Sequence, residues 1–166
     1  MEKLPEELDE NFKELSLAIN DNAKEKGFWE SMIKVIGKME SYHEVDIGGA
    51  VRANKIFSDD QIKAVKKAFV SQKLMLVVSE LGEATESHRK DIYADWDLFE
   101  EYMEDGQGFE FAFENSIKDS FEDEIADTVI RLIDLAEEMN IDLMKHIKYK
   151  MEYNSGREKM HGGKDY

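Results

Sequence analysis

The 166-residue chain predicts an all-α fold, and three observations carry that prediction. Apolar residues recur at helical spacing in several separate stretches. Good helix formers (Glu, Lys, Leu, Ala, Met) dominate the composition. There is a single proline, Pro5. The expected architecture is an antiparallel bundle of four to five main helices carrying two inserted connections, organised as one domain over residues 1–166.

The elements follow in order. Leu8, Phe12, Leu15 and Ile19 fall at 4-3-4 spacing, which predicts a first helix from about Pro5 to Lys26, stopped by Gly27. "FWESMIKVIGKM" (28–39) reads as a short second helix and "ESYHEVDIGGAV" (40–51) as a loop. Ser58 followed by Gln61 is a capping-box pattern, opening a long helix to about Lys90. "ADWDLFEEYMED" (94–105) suits a short helix, and "GQGFEFAFENS" (106–116) reads as a loop with aromatic alternation. Phe121, Ile125, Val129, Leu132, Ala136 and Met139 form one stripe of a helix from about Lys118 to Met139, and Asn140 marks a break. A last helix covers 141–154 with Leu143, Ile147 and Met151 facing in. The Gly-rich tail after it is too irregular to continue.

Charge restricts the partners. A formal net charge of −16 opposes general binding of polymeric nucleic acid, which requires Lys and Arg to neutralise phosphates. Residues 145–164 reverse the sign locally, with six Lys/Arg against two acids. Such a segment suits a small, multiply charged anion, although cations also favour helix C-termini for reasons unrelated to ligands. The chain lacks cysteine, which suits a reducing compartment, and the expected location is cytoplasmic. The first residues, "MEKLPEELDE", hold no apolar core of a secretory signal, and no apolar run approaches the roughly 18 residues that span a bilayer. No membrane partner is expected.

The chemistry concentrates in two carboxylate pairs. Glu80 and Glu83 in "SELGEATESHRK", and Glu124 and Asp127 in "FEDEIADTVIRLID", are each three residues apart on the two most apolar helices. Residues so spaced lie about 60° apart around the helix and about 4.5 Å along it, so like charges there destabilise a bare helix. If the two helices pack antiparallel, four carboxylates share one pocket and repel unless cations are bound. Hard oxygen ligands suit Mg²⁺ or Mn²⁺. In a chain with 38 Asp and Glu such pairs also arise by chance, as in "PEELDE" and "FEEYMED"; placement in apolar helices distinguishes these two.

Together these segments resemble the MazG-like family of all-α nucleoside triphosphate pyrophosphohydrolases, whose signature is E-E-x-x-E followed by E-x-x-D. The resemblance extends to "NDNAKEKGFWE" (20–30), like the family's K-G-F-W, and to "KMEYNSGREKMHGGKDY" (150–166), like its closing K-x-x-x-N-x-x-R and H-G-x-K. The resemblance implies that Glu80, Glu83, Glu124 and Asp127 bind magnesium, and that a nucleoside triphosphate is hydrolysed to monophosphate and pyrophosphate. The attacking water's proton would pass to one of these carboxylates, Glu83 among them, or to nearby Glu86. Lys150, Asn154 and Arg157 would meet the phosphates, Trp29 would stack on the base (a Trp beside a helix stop equally suits the core), and Asn20 or Asn22 would read its polar edge. Arg131 would touch a phosphate or the sugar, or pair with Asp127 one turn before it; the ion pair is the favoured reading. A homodimer or homotetramer is also implied.

The chain departs from the family pattern at Ser79, where the signature has its first Glu, and in two apparent insertions, near 39–55 and 90–118. Two other readings compete. One is a nucleotide- and Mg-binding regulatory or assembly module without turnover, which the retention of all four acidic positions weakens. The other is a di-iron carboxylate bundle, which needs Glu-x-x-His motifs in core helices. The two such strings, Glu40–His43 and Glu158–His161, fall in a predicted loop and in the tail.

Overall fold

A computed structural model of the protein describes residues 6–47 and 50–156. Helices build it apart from one two-stranded hairpin: α1 (Glu6–Glu25), α2 (Glu30–Glu40), β1 (Tyr42–Ile47), β2 (Ala50–Lys55), α3 (Asp59–Arg89), α4 (Trp96–Glu104), α5 (Phe109–Ser116), α6 (Phe121–Glu138) and α7 (Leu143–Ser155). The chain divides into two compact units, residues 1–26 with 133–166, and residues 27–132.

In the first unit, α1 buries Ser16, Asn20 and Ala23, while Ile133, Leu135 and Ala136 are buried at the end of α6. Ion pairs Lys13–Glu137 (2.6 Å) and Lys24–Glu138 (2.9 Å) join α1 to α6, and Lys148 of α7 pairs with Asp9. Asn140 takes a left-handed conformation (φ 53°) at the expected break, and Asp142 caps α7 by accepting from the Lys145 N–H at 3.0 Å.

The second unit begins with Gly27, whose φ of 79° ends the first helical segment as expected. Ile36 and Met39 of α2 pack with Ile62 of α3, and Met32, Phe57 and Val65 flank them. The capping box is present in both directions: Gln61 N–H donates to Ser58 Oγ (3.3 Å) and Ser58 N–H to Gln61 Oε1 (2.8 Å).

Three expectations are corrected. The stretch expected as a loop over 40–51 contributes to an antiparallel hairpin, in register from Tyr42 opposite Lys55 to Ile47 opposite Ala50. Two runs joined by Gly-Gly are a hairpin signal that outweighs the mixed polarity of the segment. The stretch 106–116 also contains a helix. Gly108, at φ 85°, turns the chain into α5, whose Ala112 is fully buried. Finally, much of the predicted inward-facing stripe is exposed: Leu8 and Leu15 of α1, Ile125, Val129 and Leu132 of α6, Met139 just beyond α6, and Ile147 and Met151 of α7. Leu74, Met75, Val78 and Leu81 on α3 are exposed as well. The face of α3 that is buried runs through Val77, Glu80, Ala84 and Ser87 instead.

Candidate metal centre

α3 and the first turns of α6 present polar residues on their buried sides. On α3 these are Glu80 and Ser87; around the start of α6 they are Ser120, Glu124 and Thr128. Local hydrogen bonds set the start of α6. Ser120 Oγ accepts from the Asp123 N–H (3.2 Å), and Asp123 Oδ2 accepts from the Asp119 N–H (3.0 Å). Asp119 itself takes φ 61°, which is why the helix begins at Phe121 rather than near Lys118. The Ser87 hydroxyl donates to the Asp119 carbonyl at 3.0 Å and ties the end of α3 to this start.

Three of the four expected metal ligands come together. Glu80, Glu83 and Glu124 each offer one carboxylate oxygen, and these oxygens lie within 4.8 Å of one another. Glu80 and Glu124 are only 6% and 5% exposed, while Glu83 is exposed. Burial, followed by the negative charges of Glu83 and Glu80, pushes the Glu124 carboxyl up to about 7. Asp127, half-buried one turn later, is not in this group among the described residues. Its pKa is nonetheless raised, by burial first, then by Asp123 and Glu80. Three carboxylates this close, two of them buried, offer the hard oxygen donors a small divalent cation prefers, so the residues fit Mg²⁺ or Mn²⁺.

Two side chains complete the electrostatics. Arg131 Nε lies 2.6 Å from Glu80 Oε1 on the facing helix. The contact therefore crosses from α6 to α3, in place of the expected pairing along α6 with Asp127. The Nε atom is buried, and its N–H is not aligned for a hydrogen bond, so the attraction is ionic. Ser79, where the family signature has a glutamate, donates its hydroxyl to Glu83 Oε1 at 3.3 Å. The spacing of Ser79 and Glu83, four apart on one helix, would have indicated this role from the sequence.

The other expected site residues are placed differently. Glu86 is bound by Arg89 (2.7 and 2.8 Å) and Lys90 (3.0 Å), and these hydrogen bonds lower its carboxyl to about 2. A carboxylate held that low is a weak proton acceptor near neutrality. Trp29 is 1% exposed at the start of α2, with the Lys73 ammonium 4.3 Å from its ring centre. It is a core residue here, since an occupied and buried ring face has no room for a base. Trp29→Phe is therefore expected to lower stability by about 1–2 kcal/mol in urea unfolding through the volume lost. A raised KM at unchanged stability would restore its role as a stacking platform.

Asn20 is buried too. Its amide donates to Asp134 Oδ1 at 2.9 Å, and its carbonyl accepts from Lys24 at 2.6 Å, so both ends are engaged within the first unit. Asn22 is exposed on α1. Lys150 and Asn154 are exposed one turn apart on α7, with the Lys150 ammonium 5.2 Å from the Tyr153 ring centre. Arg157 and the Glu158–His161 string lie outside the described residues.

A cavity of about 800 Å³ in the first unit is lined by Phe12, Ile133, Ile141 and Tyr149 among others, and by none of the expected site residues. Charged residues also line it, among them the ion pairs Lys13–Glu137 and Lys148–Asp9. Among the described residues, no helix is long and apolar enough to cross a membrane. No family model, curated protein or solved structure matches the chain.

Proposed function

We propose that the protein is a magnesium-dependent nucleoside triphosphate pyrophosphohydrolase of the MazG-like all-α type, releasing a nucleoside monophosphate and pyrophosphate. The observation that carries this reading is the convergence of Glu80, Glu83 and Glu124, whose carboxylate oxygens lie within 4.8 Å of one another on α3 and α6. Glu80, Glu83 and Glu124, with Asp127, would hold the cation. When bound, it would neutralise phosphate charge and lower the pKa of water. Glu83 is the exposed member of the group and the best placed to meet a water and take its proton. Ser79 orients it. Arg131 holds Glu80 in the metal-free protein and supplies a positive charge beside the carboxylates. Lys150, Asn154 and Arg157 are the proposed phosphate contacts.

The exposed apolar residues of α3 and α6, Leu74, Met75, Val78, Ile125 and Val129 among them, support a homodimer or homotetramer, because monomers rarely leave such rows uncovered.

The test is product analysis on a panel of ribo- and deoxynucleoside triphosphates with Mg²⁺ and with EDTA. Metal-dependent release of pyrophosphate is the expected result, and the best substrate identifies the base. Release of orthophosphate would assign a different bond. Absence of turnover on every nucleotide, with Mg²⁺ binding retained, would favour the binding-module reading.

A further inference from the structure

The segment between the two carboxylate helices is more than a spacer. Residues 91–117 contain nine Asp and Glu and no Lys or Arg. α4 and α5 fold there into a helical hairpin held at its base by three hydrogen bonds. The Asp95 N–H donates to the Ser116 carbonyl (2.8 Å), the Phe121 N–H to the Ile92 carbonyl (3.0 Å), and the Ala94 N–H to Glu122 Oε2 (3.0 Å). Along the hairpin runs a chain of ring contacts, Trp96–Phe99 (5.7 Å), Phe99–Phe109 (5.9 Å) and Phe109–Phe113 (5.8 Å). Its outer members, Trp96 and Phe109, are 58% and 64% exposed, and Met103 and Phe111 are exposed as well. An anchored aromatic patch inside an acidic border is organised before it binds, so little ordering cost opposes an encounter. Phosphate-bearing surfaces, nucleic acid or anionic lipid, are repelled by the border. The chemistry that fits is an apolar protein surface bordered by Lys and Arg, whose cations also favour the faces of Trp and Phe.

This chain carries such a surface. On α7, Tyr149 and Tyr153 are exposed one turn apart on one face, with exposed Lys145 and Lys150 on either side of them, and Lys148 is paired to Asp9. We propose that α7 of a second copy docks on the α4–α5 hairpin, aromatic centre to aromatic centre and basic rim to acidic border. Two-fold symmetry would form the contact twice. The proposal is independent of the hydrolase reading.

Sedimentation equilibrium of the full chain tests it, at about 50 mM and about 500 mM salt. Wild type is expected to associate, and more weakly at the higher salt. Trp96→Lys removes the hairpin surface and Tyr149→Glu the α7 surface; each is expected to weaken association at least about tenfold. Both positions are exposed, and circular dichroism checks that each variant folds, with Phe109→Lys as the replacement for Trp96→Lys and Tyr153→Glu as the replacement for Tyr149→Glu. An equal mixture of the two variants retains one intact contact per pair and is expected to associate more tightly than either variant alone. A wild type that sediments as a single chain overturns the proposal. So do variants that assemble like wild type, or a mixture that associates no more tightly than either variant alone.

Discussion

Glu124→Gln is expected to abolish metal-dependent turnover while making the metal-free protein more stable at about pH 8. The two effects have one cause. Glu124 is 5% exposed and close to Glu80 and Glu83, and burial with their charge raises its pKa to about 7. At about pH 8 it is charged in a place that opposes charge, at a cost of about 3 kcal/mol relative to the unfolded chain. Glutamine keeps the shape, removes the charge, and gives Glu80 an N–H donor in place of a second anion. Part of the gain is offset because a buried amide must itself be satisfied, so about 1–3 kcal/mol is expected from urea unfolding in EDTA. At about pH 5 the glutamate carries its own proton and the difference should disappear. Turnover should fall about 10³-fold, or about 4 kcal/mol of barrier, since an amide is a poor ligand for a hard cation. A variant less stable than wild type at about pH 8 would show that Glu124 is held by favourable contacts rather than strained by repulsion.

The carboxylates were legible in the sequence because their meaning depends on local spacing. Two pairs, each three apart on an apolar helix, can converge when the helices pack together, and Glu80, Glu83 and Glu124 do so while Asp127 stays outside the group. Arg131 was less legible for the same reason. A rule about residues four apart sees only one helix, whereas the guanidinium contacts Glu80 on another. Trp29 shows a second limit. An aromatic beside a helix stop has the same sequence signature whether it packs or stacks, and what decides is Lys73, far along the chain, over its ring.

The helix faces show a third limit. Periodicity located the apolar stripe of α6 but did not indicate whether its partner lies within the same chain. Ile125 and Val129 are exposed, while Glu124 and Thr128 are buried. The fold class itself was set by composition and spacing. The hairpin of β1 and β2 is hard to read from sequence because its signal, Gly-Gly between two short runs, is weak beside strong helical periodicity on either side.

In EDTA, the protein is expected to lose stability as pH rises from about 4.5 to 7, the reverse of ordinary acid denaturation. Glu124 releases its proton near 4.5 when unfolded and at about 7 when folded. Between these values the folded state holds a proton that the unfolded chain has lost, so each step up in pH favours unfolding. The loss totals about 3 kcal/mol from this group, and Asp127, also raised, acts in the same direction. Glu86 has the opposite sign, because Arg89 and Lys90 depress its pKa; its contribution is present above about 4.5 and is lost only as pH falls towards 2. The two limbs therefore occupy separate windows. Mg²⁺ competes with protons for the same oxygens, so it should raise the melting temperature at about pH 8 and do little at about pH 5. Thermal melts across this range, with EDTA and with Mg²⁺, check both statements. A flat profile in EDTA would mean that the Arg131 charge already neutralises the cluster, and a cation would then have no repulsion to relieve.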